Sequence, residues 1–189
     1  MRKSKLETAE TRQRIVEAAS LEFRRNGIEG TGLASIMAIA GLTHGGFYKH
    51  FASKDQLVEE SLALAVESLS TDIGANLVAS SKARGLRAAI ADYLSIEHLE
   101  NMAEGCPFVA LGSELARCSD AVRENTTAGF LQLVDALAGH MEDMSAAAAK
   151  KKALVTLCTM VGAMTMARIV TDPELAASIL LQARKHLTE

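Results

Sequence analysis

The side chains able to do chemistry are few and unevenly placed. Among 189 residues there are five histidines, three cysteines, two tyrosines and no tryptophan. A di-iron helical bundle needs Glu-x-x-His, which sets both ligands on one helix face. The residues three before the histidines are Gly41, Phe47, Ser95, Leu137 and Ala183, so that motif is missing. There is no Cys-x-x-Cys, no phosphate-binding loop and no Gly-x-Ser-x-Gly elbow. We therefore expect no enzyme, no metal and no cofactor. What remains is a run of hydrogen-bonding and cationic groups, Thr43-His44-Gly45-Gly46-Phe47-Tyr48-Lys49-His50-Phe51, with Lys54 just after it. Such groups suit non-covalent recognition of phosphates and base edges. One further residue carries chemical promise. Gly105-Cys106-Pro107 puts a thiol at the expected N-cap of a helix, where free amides and the helix dipole favour thiolate.

The elements that must position these groups are helical. Thirty-two alanines against two prolines favour helix throughout, and turn signals do not recur as a β-sandwich requires. The hydrophobic fraction of 49% and a net charge of −3 exclude a disordered chain. Thr11 to Asn26 reads as a helix with Ile15, Ala19 and Phe23 inward and Arg12, Arg14, Glu17, Arg24 and Arg25 on the other face. Asn26-Gly27 stops it. Leu33 to Ala40 forms a short second helix that Gly41 ends. Thr43 then caps a third, held to the core by Phe47 and Phe51 at i, i+4. Ser53-Lys54-Asp55-Gln56 is a capping box opening a fourth helix that runs toward Ser80. Two short helices joined by a glycine turn after a longer one make a helix-turn-helix. A third helix that packs by a narrow stripe and presents Thr, His, Tyr and Lys outward fits the major groove of DNA.

Charge supports a division. Residues 1–54 carry nine Lys/Arg and five Glu, a balance of +4; residues 55–189 carry eleven Lys/Arg and eighteen Asp/Glu, a balance of −7. Six of the thirteen glycines lie between Gly27 and Gly46. The expected organisation is a DNA-binding part over 1–54, a connecting helix over about 54–80, and a ligand-binding and dimerisation part over 55–189. The basic arm with Arg2, Lys3, Lys5 and Arg12 is a candidate for minor-groove or backbone contact.

The run from Thr31 to Leu57 resembles the DNA-binding signature of TetR/AcrR-type transcriptional repressors. The likeness lies in Ala40-Gly41-Leu42-Thr43, in Phe47-Tyr48-Lys49-His50-Phe51 and in Ser53-Lys54-Asp55-Gln56-Leu57. The resemblance implies an all-α homodimer that represses by binding an operator and senses a ligand through its core. Carried over by position, Thr43 and His44 read bases, and Gly45 and Gly46 reach the groove. Tyr48, His50 and Lys54 grip phosphates, while Lys49 adds to the reading. Thr31 and Gly32 open the second helix against the backbone. The chain departs from the signature at Gly32 and Ala34, where a capping and a base-contacting polar side chain are common. A phosphate contact at Gly32 would have to use backbone amides. The alternative function is a dimeric helical ligand-binding scaffold that does not bind DNA.

Beyond Ser80 the pattern predicts helices over Leu86–Met102, from Pro107, over Ala121–Met144, over Ala146–Val170 and from Pro173, making about nine in all. The stretch Ala153–Ala167 has no charge but falls short of the roughly 20 residues that span a bilayer. No membrane partner is expected. A helix apolar nearly all round must be buried on every side, and pairing of the last two helices across a two-fold axis would do this. Six of the eight methionines lie in this half. Tyr93, Met102, Cys106, Phe108, Leu111, Phe130, Met160 and Met164 are the candidate lining of a mostly apolar effector pocket. Cys106 is also a candidate sensor of thiol-reactive molecules, as the resemblance allows. Cys118 and Cys158 read as buried small hydrophobes. Three cysteines and no evident signal peptide lead to an expected cytoplasmic location.

Overall fold

The computed structural model describes residues 5–78 and 81–189; Arg2 and Lys3 of the basic arm and the expected helix end at Ser80 lie outside them. The described chain is all-α, with 79% of residues helical and no strand among them. The helices are α1 (Lys5–Asn26), α2 (Leu33–Ile39), a 3-10 helix (His44–Lys49), α3 (Lys54–Val78), α4 (Lys82–Tyr93), α5 (Ile96–Glu100), α6 (Pro107–Leu115), α7 (Asp120–Ala138), α8 (Ala146–Ile169) and α9 (Pro173–Thr188).

Local chemistry explains most boundaries. Gly27 at φ +79 and Gly41 at φ +74 take the left-handed conformation that ends α1 and α2. The capping box forms: Gln56 N donates to Ser53 Oγ at 3.1 Å, and Gln56 Oε1 accepts from Ala52 N at 2.8 Å. Pro107 and Pro173 each sit in the first turn of their helix, where a missing N–H costs nothing. The single helix expected over Leu86–Met102 is two. Ser95 breaks it by accepting from His98 N at 3.1 Å, so it caps α5 instead of continuing α4. The helix expected to reach Met144 ends at Ala138: Gly139, about 1 kcal/mol less favourable than Ala in a helix interior, is its C-cap, and Asp143 beyond it takes φ +59.

Two hydrophobic cores form along α3. The first gathers Ile15, Ala19 and Phe23 of α1, Ile36 and Met37 of α2, Phe47, Phe51, and Leu57, Val58 and Leu62 of α3. Leu111 and Leu115 of α6 and Val122 of α7 join this core. The second gathers Leu69, Ile73 and Leu77 of α3 with Ile90 and Tyr93, Cys106, Leu133 and Leu137, Leu157, Met160 and Met164, and Leu180. Leu131 and Leu175 are exposed; Cys158, expected to be buried, is exposed too, and Cys118 is half-buried. Arg24, expected on the solvent face, is buried. Its guanidinium donates to the carbonyls of Glu104 and Gly105, both at 3.0 Å, and so satisfies the chain entering α6.

α8 is not enclosed within one chain. Ala153, Leu157, Met160, Met164 and Ala167 face the core, but Leu154, Val155, Cys158, Met166 and Ile169 are exposed. At 24 residues it is long and apolar enough to cross a membrane by length and composition, more than the charge-free stretch alone suggested. Its other face packs on α7 and α9, and Lys150, Lys151 and Lys152 lie within it.

α3 and α4 approach closely at Gly85, where an added Cβ would lie 2.4 Å from the Leu77 carbonyl oxygen. Backbone cannot yield as a flexible side chain does. Gly85→Ala is therefore expected to destabilise the fold by about 1–3 kcal/mol despite its better helix propensity, read as a lower urea midpoint at unchanged slope.

Candidate nucleic-acid interface

The surface expected to read DNA is built on a buried aromatic pair. Phe47 is 0% exposed and Phe51 is 2% exposed, with their rings stacked at 5.5 Å between centroids. The segment His44–Lys49, which carries Phe47 and ends two residues before Phe51, is a 3-10 helix, a tighter coil than the expected α-helix. Gly45 and Gly46 weaken the longer helix by their backbone freedom. With Phe47 anchored, Thr43, His44, Gly45, Tyr48 and Lys49 all point outward. Tyr48 is 68% exposed and stands edge-on to Phe47 at 5.1 Å. An exposed aromatic phenol braced from below is well placed to meet a backbone phosphate.

The neighbouring α2 presents its exposed side next to this segment. Gly32 is its N-cap with no side-chain cap, and a Cβ there would meet nothing within 4 Å. The amides of Leu33 and Ala34 in its first turn are therefore open to an incoming oxygen, while Ser35 N donates to the Gly32 carbonyl at 3.1 Å. Ser35 is exposed on the same helix, a polar group that the sequence pattern did not single out. It sits one position after Ala34, where the signature's polar residue is missing.

Several expected contacts are instead structural. Thr31 is 3% exposed, and its hydroxyl donates to the Gly27 carbonyl at 2.6 Å, closing the loop between α1 and α2. Lys54 is half-buried, and its Nζ donates to the carbonyls of Ile28 at 2.6 Å and Thr31 at 2.9 Å. The ammonium neutralises a turn whose carbonyls would otherwise be unpaired, so it is not free to meet phosphate. Gly46 turns inward, with Met37 Cε 3.5 Å from where its Cβ would be. His50 is half-buried, and its carbonyl accepts from Arg12 Nε at 3.3 Å. Arg12 also pairs with Glu60 of α3 and lies over the Phe51 ring at 4.5 Å. It therefore ties α1 to α3 instead of serving the basic arm. The outward-facing set is Gly32, Thr43, His44, Gly45, Tyr48 and Lys49.

Six of the eight residues of the expected effector lining meet in the second core, Tyr93, Cys106, Met160 and Met164 buried in it and Phe108 and Phe130 packed against it. Leu111 belongs to the first core, Met160 and Met164 are closed in the second, and Met102 is 47% exposed. Met160 and Met164 fill core volume because they fall at helical spacing on the inner face of α8. Phe108 and Phe130 do meet, edge to face at 5.7 Å. Two clefts exist. One, of about 520 Å3 between α3, α6 and α7, is lined by Leu62, Ala63, Val66, Pro107, Phe108 and Leu115, with Glu59, Glu60 and Glu67 also on its wall. The other, of about 720 Å3, lies between α1, α3 and the α4–α5 region, and Tyr93 lines it.

Cys106 is the N-cap of α6, as expected, but it is 0% exposed. Its amide donates to His98 Nε2 at 3.0 Å. Burial pushes the thiol up from its ordinary range, more than the neighbouring Tyr93 hydroxyl and the α6 amides lower it. The expected thiolate is thus disfavoured by the same burial that makes Cys106 part of the core.

The comparisons with known proteins agree with this architecture. Residues 15–61 match the family described as bacterial regulatory proteins, tetR family. Residues 82–175 match the C-terminal domain described as transcriptional regulator LmrA/YxaF-like. The HTH-type transcriptional regulator TtgR of Pseudomonas putida is 44% identical over 62 residues, 33% of this chain and 30% of that one. The HTH-type transcriptional repressor BepR of Brucella suis is 37% identical over 65 residues, 34% of this chain and 31% of that one. Both matches span about a third of those relatives' length. A TetR transcriptional regulator from Chloroflexus aurantiacus is 26% identical in its solved structure, with a TM-score of 0.80 over 96% of this chain and 94% of that one. The reduced form of Escherichia coli NemR has the same fold, at 18% identity and a TM-score of 0.80 over 94% and 95% of the two chains.

Lys54→Met keeps the stem and removes the ammonium, leaving two carbonyls unpaired. We expect a loss of about 1–3 kcal/mol in urea unfolding, with an unchanged salt dependence of DNA binding under folding conditions. A phosphate contact would give the reverse pattern, a shallower salt slope and unchanged stability. With a helix-turn-helix over the first matched segment and a helical body over the second, the chain belongs to the TetR family of transcriptional regulators.

Proposed function

We propose that the chain is a repressor that binds a palindromic operator as a homodimer and leaves it when a small molecule binds the body. The observation that carries this is the outward face of Thr43, His44, Tyr48 and Lys49 on the buried Phe47 and Phe51 pair. Those four groups offer donors, acceptors and a cation over one short segment, the chemistry that base edges and phosphates require. The relatives' names, regulator and repressor, favour the same reading. The domains follow the notional division: DNA reading over 1–54, effector binding and dimerisation over 55–189, with α3 connecting them. A cytoplasmic location follows from the function.

The dimer would form through α8 and α9. Leu154, Cys158, Gly162, Met166 and Ile169 recur at three- and four-residue steps along one exposed strip of α8. Gly162 meets nothing within 4 Å, leaving room for a second helix to come close. A strip of this kind is poorly suited to solvent and fits the same strip of a second copy, which makes a two-fold contact self-complementary. This reading also replaces a bilayer as the neighbour of α8. Two reading heads so joined would meet successive major grooves about 34 Å apart.

For the effector, the α3–α6–α7 cleft is the place for a small, mostly apolar molecule, since Leu62, Val66 and Phe108 line it. Filling it would press on α3, which carries the head. The thiol-reactive alternative needs an oxidant or electrophile to reach a fully enclosed Cys106, and burial opposes it.

Binding should be measured by fluorescence anisotropy on DNA flanking the chain's own gene. Lys49→Ala is expected to weaken binding on all sequences and to lower the salt slope by about 1. His44→Ala is expected to cost about 1–3 kcal/mol on the operator and little on random DNA. Equal losses on both DNAs for both variants would overturn the assignment. Val155→Glu with Ile169→Glu should yield monomers by sedimentation velocity, because two like charges per copy would be buried at the contact.

A further inference from the structure

Residues 95–106 carry the chain through α5 into α6, and two arginines from distant helices grip this segment. Arg24 of α1 reaches it from the head. Its Nη1 donates to the carbonyls of Glu104 and Gly105, both at 3.0 Å, while Nε and Nη2 hold it to Ser20, at 3.0 Å on the carbonyl and 3.2 Å on Oγ. Arg168 of α8 reaches it from the body. Its Nη2 donates to the carbonyls of His98 at 2.7 Å and Asn101 at 3.3 Å, and its Nε to that of Leu99 at 3.2 Å. Neither guanidinium makes an ion pair among the described residues. The segment is also braced from within. His98 Nδ1 donates to the Tyr93 carbonyl at 2.7 Å, and Nε2 accepts from Cys106 N at 3.0 Å, which joins the end of α4 to the start of α6. Gly105 leaves no slack there. A Cβ on it would lie 2.6 Å from the Asn101 carbonyl oxygen, 2.8 Å from Arg168 Nη2 and 2.9 Å from His98 Nε2.

The kind of partner matters mechanically. A carboxylate can follow a moving arginine by changing rotamer, whereas a backbone carbonyl moves only with its segment. The five carbonyls therefore hold the two guanidiniums at a set separation. Each arginine is in turn fixed to a surface the function uses. Phe23, next to Arg24, lies in the core that also holds Phe47 and Phe51. Arg168 stands between Met166 and Ile169, both exposed on the α8 strip assigned to the partner copy.

We propose that Arg24 and Arg168 are positioning residues for operator binding: through residues 98–105 they fix the head against the dimer helix and so set the distance between the two reading surfaces. The inference rests on the DNA-binding dimer proposed above. α3 and α6, which line the apolar cleft, join the head to the effector; the arginine clamp joins it to the dimer contact instead. Hydrogen-bond networks between rigid elements carry such coupling.

The test is anisotropy with the full chain. The probes are the operator fragment flanking the chain's own gene, the same fragment with base pairs added or removed at its centre, and a single half-site. The native chain is expected to prefer the native spacing by about tenfold. Arg24→Met and Arg168→Met are each expected to cut that preference about fivefold, with half-site affinity unchanged. Arg24→Lys and Arg168→Lys, which keep an ammonium near the carbonyls, are expected to cut it about twofold and stand in where a methionine variant does not fold. The two methionine substitutions together should cut it no further than one alone, because both act through one segment. Gly85→Ala, which destabilises the body elsewhere, should keep the native preference, and sedimentation velocity should show dimers throughout. An unchanged spacing preference, an equal loss on the half-site, additive effects, monomers, or the same loss in Gly85→Ala overturns the inference. No operator complex with the native chain overturns the DNA-binding reading, and this inference with it.

Discussion

α3 runs unbroken for 25 residues, about 37 Å at 1.5 Å per residue, and buries each half in a different core. Leu57, Val58 and Leu62 belong with Phe47 and Phe51; Leu69, Ile73 and Leu77 belong with Tyr93, Leu133 and Leu157. No proline interrupts it, and Gly74, its only glycine, lies within the second half. A continuous helix transmits rotation along its length because each turn is hydrogen-bonded to the next. The position of the reading surface is thus set by how α3 is held at its far end. Every other contact between head and body either reinforces that setting or works against it.

Three polar ties reinforce it. Arg12 joins α1 to Glu60 on α3, Arg24 joins α1 to the start of α6, and the Glu114 carboxylate accepts from Glu29 N at 2.9 Å. Each tie crosses between elements far apart in sequence. Leu111 and Leu115 add an apolar one, since α6 inserts its last turns into the head's core. The body therefore touches the head through α6 as well as through α3. The two clefts lie on either side of this junction, one against α6 and α7, the other against α1 and α5. A ligand in either must act on the same few contacts.

The head was readable from sequence because its signals are local. Glycines at φ +79 and +74, the Ser53 capping box and the i, i+4 phenylalanines each act within a turn or two. The internal bonds of Thr31 and Lys54 were not readable, for the opposite reason. Their partners are backbone carbonyls, and for Lys54 these lie 26 and 23 residues away, a relation that no residue pattern records. Arg24 was placed on the solvent face by its type, yet the chain entering α6 needed a donor for two carbonyls. The body was readable as helices but not as clefts. Spacing tells which face of a helix is apolar, whereas a cleft is what neighbouring faces fail to fill. Of the methionines expected around an effector, Met160 and Met164 fill the core while Met102 is exposed, and α8 proved two-faced because one chain supplies neighbours for half of it.

Charge completes the picture of how one surface is selected. The head carries +4 and the body −7 by formal count, and the body's acidic groups include those at the junction. In the proposed complex DNA would repel the acidic body, so that the exposed face of the 3-10 helix and the start of α2 would meet phosphate first. Yet few cations lie on that face: Lys54 and Arg12 are spent on internal carbonyls and on Glu60. In the proposed operator complex, with so few charges per copy, affinity would come from Thr43, His44, Tyr48 and backbone amides, and from two copies binding at once. Two-point attachment makes binding steep in the distance between the heads. On that reading a small rotation of α3 would separate a bound state from an unbound one.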